Sequence, residues 1–128
     1  MKDDATIELI DSFKNKFNLC ESVYKVILKK HQNVKGNKKV YLKLTMTQIP
    51  FAMKFAGYNV DRDLLNRLFG SETKKGRQSI KKLRDSVTHS IKQSAVDEIK
   101  ARERELFNDM DSFLEIIRNC GRWLYSIK

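Results

Sequence analysis

The chain has 128 residues, 41% of them apolar and a third charged, which excludes a disordered polymer and fits one domain with a core of its own. One proline and five glycines leave long uninterrupted segments, which excludes a turn-rich β architecture. A net charge of +10 and a pI near 9.7 favour a polyanionic partner, nucleic acid or an anionic surface, although lysines outnumber arginines and a lysine-rich solvated face raises the same count.

From about Asp4 to Lys30, Ile7, Ile10, Phe13, Phe17, Cys20, Tyr24 and Ile27 recur every three or four residues, the spacing of one buried helical stripe. Acidic residues crowd its start and lysines its end, as the helix dipole prefers. The stretch "HQNVKGNKK" (31–39) reads as a basic surface loop, and "VYLKL" (40–44) as an extended lead-in or an early helical turn. Residues 45–58 fit a helix with Thr47 as N-cap, Pro50 in the first turn and Gly57 at its end. A second short helix over 61–70 has Asp61 as its cap and Gly70 as its stop.

After a basic connector the pattern predicts a helix from about Gly76 to Gln93. Ser94 and Asp97 then form a capping-box pattern, which starts the last long helix or bends a continuous one. Val96, Ile99, Leu106, Met110, Phe113 and Ile117 continue the core stripe, with Gly121 expected as a C-cap and Trp123, Leu124 and Tyr125 docking back. The fold class expected is all-α, an antiparallel bundle of four to five helices in a single domain over 1–128.

The helix over 76–93 holds the residues that ask for a function. With Ile80 at zero on a helical wheel, Leu83, Val87 and Ile91 lie within about 60° and define the core direction. His89 then points away from the core at about 180°, Asp85 lies at about 140°, Thr88 at about 80° and Arg84 flanks the stripe at about 40°. Lys81, Lys82 and Lys92 share the outward side. Asp85 and His89 are four residues apart, close enough for a carboxylate to orient an imidazole. Histidine can move a proton near neutrality, and arginine can hold a phosphate and steady charge on its oxygens.

The stretch "LRDSVTH" (83–89) resembles the R-x4-H motif of HEPN domains, with the polar residue those domains place after the arginine (Asp85). The helix layout is similar too: a long first helix, shorter middle elements, and the motif ahead of a long final helix. The resemblance implies an all-α bundle and, for many members, a metal-independent endoribonuclease of toxin–antitoxin, abortive-infection or phage-defence systems. It implies a homodimer whose two motifs meet in one RNA-cleaving cleft, with an antitoxin or a fused domain as further partner. His89 would act as general base or acid, Arg84 would bind the scissile phosphate, and Asp85 and Thr88 would orient the pair. The ribose 2′-hydroxyl would attack the adjacent phosphate and leave a cyclic phosphate. Members with an intact helical core but no activity imply an alternative, a module that binds RNA or a protein.

Lys74, Lys75, Lys81, Lys82 and Lys92 are the candidate RNA-binding residues; aromatics are not interleaved with them, which disfavours a stacking platform. Residues 47–70 also suit a helix-turn-helix, but Asp61 and Asp63 would face phosphates badly. "ARERELF" reads as a solvated, mixed-charge stretch. Neither cysteine has metal-ligand spacing, so no metal and no cofactor is expected. No signal-peptide pattern and no transmembrane-length apolar run occurs, so a reduced, cytoplasmic setting without membrane contact is expected.

Overall fold

The structure, a computed structural model, describes residues 3–35, 62–70, 76–89 and 91–126, with side chains over 3–26, 62–70, 76–89 and 91–119. The readings for 36–61 and 71–75, Lys74 and Lys75 included, lie outside the described residues. So do the side chains of Ile27, Cys120, Trp123, Leu124 and Tyr125.

The described residues form an all-α bundle of five helices packed against one another, with no strand among them: α1 (Asp4–Lys35), α2 (Arg62–Phe69), α3 (Ile80–Thr88), α4 (Gln93–Ala101) and α5 (Glu103–Ser126). Asp3 caps the start of helix α1, its carboxylate accepting the Thr6 N–H at 2.7 Å. That bond holds the Asp3 carboxyl below the usual range. Phe13, Phe17, Cys20 and Tyr24 are buried as their spacing predicts, and so are Val96, Ile99, Leu106, Met110, Phe113 and Ile117.

Along the two long helices contacts pair Phe13 with Phe107 and Lys16 with Asp111, while Asp3 and Leu9 line one hollow with Lys100 and Glu103. Residue numbers therefore rise together, and α1 and α5 run in the same direction. The antiparallel arrangement expected from the sequence does not extend to this pair, because the chain between Lys35 and Glu103 supplies a return path. Phe69 on α2 closes the core edge-on to both Phe17 and Phe113. The Cys20 thiol donates to the Met110 carbonyl at 3.8 Å, and burial pushes it up to about 12, so it behaves as a small apolar side chain.

Several expectations are corrected. Helix α1 continues to Lys35 rather than stopping at Lys30, and Ile7 is 46% exposed while neighbouring Thr6 is buried. The helix over 76–93 is shorter, from Ile80 to Thr88, and α4 begins at Gln93 with Lys92 as a cap that makes no side-chain bond. Ser94 thus lies inside α4 and forms no capping box; Asp97 instead accepts from Gln93 at 2.9 Å. Because the chain leaves the helix before it, Ile91 is 59% exposed rather than in the core. Gly121 lies within α5 and does not end it.

Gly70 does end α2, donating its N–H to Asn66 O at 2.9 Å, and it is buried. A Cβ added there would lie 2.6 Å from Asn66 O, a backbone atom that cannot swing aside. Gly70→Ala is expected to cost about 1–3 kcal/mol, read as a lowered urea midpoint at unchanged slope.

Candidate functional site

Helix α3 is built to present one polar face. Ser79, in extended backbone, caps it by accepting the Lys82 N–H at 3.3 Å. Ile80, Leu83 and Val87 bury the opposite face. At the C-terminal end the Thr88 hydroxyl donates to the Arg84 carbonyl at 2.7 Å, a bond that competes with the helix ladder. His89 still donates its N–H to Asp85 O at 3.4 Å, and the chain then turns so that Lys92 N–H reaches Ser86 O at 3.2 Å. This turn brings Lys92 back beside the helix that carries His89.

The result is an open basin of about 480 Å³ lined by Ser79, Lys81, Lys82, Asp85, Ser86, His89 and Lys92, with Phe69 and Gly70 at the α2 side. His89 is exposed, as its wheel position predicts. Three of the five lysines named from the sequence line the basin, and Asp85 is the one acid among its lining residues. A concave surface with three ammonium groups attracts phosphates. The imidazole within it is placed to exchange a proton with a bound hydroxyl or ester oxygen.

Arg84 does not line the basin. Its guanidinium lies over the Phe17 ring, 4.7 Å from the centroid, and its side chain is 17% exposed. Nε donates to Asp85 Oδ1 at 2.9 Å and Nη1 to Asn18 Oδ1 at 3.2 Å, while Nη2 lies 3.9 Å from Glu21 Oε2. Thr88 is also absent from the basin, its hydroxyl being engaged at the Arg84 carbonyl. The motif is therefore split: Asp85 and His89 share the basin, and Arg84 stands behind Asp85 against α1.

Compared with known proteins, the chain matches no family model, no curated protein and no solved structure. The chemistry of the site thus rests on the residues themselves. No group of three or more potential metal ligands occurs among the described residues. No described helix is long and apolar enough to cross a membrane.

Asn18, Glu21 and Phe17 are the partners that sequence reasoning missed. They stand on and beside the apolar stripe of α1, and nothing in their spacing tells which distant arginine they will meet. Phe69 and Gly70 were missed for the same reason, since only tertiary packing brings α2 to the basin; Ser86 stands on α3 itself, on the polar face with Lys82 and His89. In the suggested helix-turn-helix, Arg67 pairs bidentately with Asp109 at 2.9 and 3.2 Å, so its guanidinium is committed to α5 rather than to a groove.

Proposed function

We propose that this domain is a metal-independent endoribonuclease of the HEPN type, acting in the cytoplasm as a toxin or phage-defence effector. The observation that carries the reading is the basin that gathers His89, Asp85, Lys81, Lys82 and Lys92. The likeness of residues 83–89 to the R-x4-H motif supports it. The lysines hold the phosphates of a single strand, and His89 serves the proton transfers. The ribose 2′-oxygen attacks the adjacent phosphorus as its proton is taken up. The bond from phosphorus to the 5′-oxygen breaks, and that oxygen receives a proton. The products are a 2′,3′-cyclic phosphate and a 5′-hydroxyl, and no redox partner or metal enters the balance.

The working unit in this reading is a homodimer in which two such basins meet, with an antitoxin or a fused domain as restraint. Exposed Ile91 supports the pairing, an apolar side chain two residues beyond His89 in the chain. The second reading is a non-catalytic module of the same layout that binds RNA or a protein, and the engagement of Arg84 by Asp85, Asn18 and Phe17 favours it.

The test is cleavage of single-stranded RNA in the presence of EDTA, with the product ends identified. Cyclic-phosphate ends made by the wild type and not by His89→Ala support the nuclease. Binding without cleavage across several RNAs supports the module. Binding itself is expected to depend on the lysines in both readings. Replacing Lys81, Lys82 and Lys92 together by alanine should flatten the slope of log K against log salt by about 2, from about 0.7 per phosphate contact on a single strand. An unchanged slope in fluorescence anisotropy would place the RNA elsewhere.

A further inference from the structure

We infer that Arg84 works in this fold as a positioning residue, holding the Asp85 carboxylate at the rim of the basin rather than taking a phosphate itself. The inference rests on the ribonuclease reading above and changes the role that the motif alone would give the arginine.

The geometry separates the two roles. A guanidinium offers five N–H donors in one plane. Here all three nitrogens are directed at protein oxygens: Nε at Asp85 Oδ1 (2.9 Å), Nη1 at Asn18 Oδ1 (3.2 Å) and Nη2 towards Glu21 Oε2 (3.9 Å). The guanidinium carbon also lies 4.7 Å from the ring centroid of Phe17, a core residue with no exposed surface. To reach a phosphate in the basin the side chain would have to leave the ring and all three oxygens together. It would also leave the Glu21 carboxylate without its cationic neighbour from α3.

Staying in place gives Arg84 a defined effect on the site. Asp85 lines the basin one helical turn before His89. With Oδ1 accepting from Arg84 the rotation of the carboxylate is restrained, and Oδ2 makes no bond to another described residue. That oxygen is the one available to an imidazole N–H or to a ribose hydroxyl in the basin. Asn18 and Glu21 fix the arginine in turn, so α1 sets the orientation of a carboxylate on α3. A side chain that only pinned α3 to α1 would need the Phe17 and α1 contacts but not the bond to Asp85.

The experiment uses the full chain labelled with ¹⁵N and ¹³C, and a 2′-O-methyl oligouridine as a probe that cannot be cleaved. Arg84→Lys keeps a cation on a long aliphatic stem and removes the planar fork, so it leaves the charge beside α1 while ending the Nε bond. In the wild type the Arg84 Nε–H signal is expected to be protected from exchange and to stay in place at saturating oligouridine, while Lys82 and His89 signals move. An Arg84 Nε–H signal that shifts with the oligonucleotide overturns the inference and restores the phosphate role. If the oligonucleotide moves no signal at all, the RNA reading fails by itself, and the free protein decides the inference. There the His89 ring signals should move alike in Arg84→Lys and Asp85→Asn, with no further change in the double variant. His89 signals untouched by Arg84→Lys overturn it. Where cleavage is measurable, both variants should lower kcat by a similar factor, roughly 10- to 100-fold, at unchanged KM, and the double variant by no more. Additive losses, or a raised KM in Arg84→Lys, count against positioning.

Discussion

His89→Ala is expected to lower RNA cleavage by roughly 10²- to 10⁴-fold, the usual contribution of a general acid or base, which corresponds to about 2.7–5.5 kcal/mol in the barrier. The fold should not follow. His89 caps α3 through its backbone N–H to Asp85 O, a bond alanine also makes, and its exposed ring fills no core space. Binding should not follow either, because Lys81, Lys82 and Lys92 remain in the basin. The measurement is single-turnover cleavage at matched folded concentration, beside anisotropy on the same RNA. Full activity in the variant would assign the cleavage to another site or a contaminant. A parallel loss of affinity would make His89 a ligand to RNA rather than a proton carrier. Both outcomes are separable from unfolding by the helical signal in circular dichroism.

The direction of His89 was legible in the sequence because it depends only on helical periodicity and on a strong local core stripe, Ile80, Leu83 and Val87. The same periodicity located Phe13, Phe17, Cys20 and Tyr24 in the core. It failed where the helix it assumed did not exist. Ile91 was assigned to the core by carrying the wheel past Thr88, but the Thr88 hydroxyl and the Lys92–Ser86 bond end the helix first. Ser94 fits a capping pattern in the sequence, yet the chain enters α4 before it at Gln93. Arg84 marks a different limit. Its wheel angle placed it correctly at the edge of the buried face, but what it does there is set by Asn18, Glu21 and Phe17 on another helix. Local pattern supplies the direction of a side chain; only the packed fold supplies its partner.

Glu98→Gln is expected to destabilise the domain by about 1–3 kcal/mol, the usual result of weakening a buried hydrogen-bond network, because Arg102 keeps the Glu105 carboxylate as its second anion. Arg102 belongs to the stretch "ARERELF" that reads as solvated in the sequence, yet the Glu98 and Arg102 side chains are only 7% and 10% exposed. Glu98 Oε2 accepts from Arg102 Nη1 and from the Gln78 N–H at 2.8 Å. Arg102 also donates to Gln78 O at 2.9 Å and to Glu105 Oε1 at 3.1 Å. This cluster sits where α4 gives way to α5, and it fixes the segment that leads through Ser79 into α3. Removing the charge should therefore loosen the start of the site helix as well as the junction. The hydrogen bond from Arg102 holds the Glu105 carboxyl below its ordinary value of 4.5, so its contribution is present above that pH and is lost as the pH falls through the lower folded value. Arg102 Nε is buried without a hydrogen-bond partner among the described residues, so the pair carries a desolvation cost. For that reason Glu98→Leu with Arg102→Leu should lie much closer to the wild type than either single change, short of the Gln78 bonds it gives up. Urea melts of the two singles and the double give the coupling directly. A double variant as unstable as the sum of the singles would mean that the cluster acts through its bonds to Gln78 rather than through its charges.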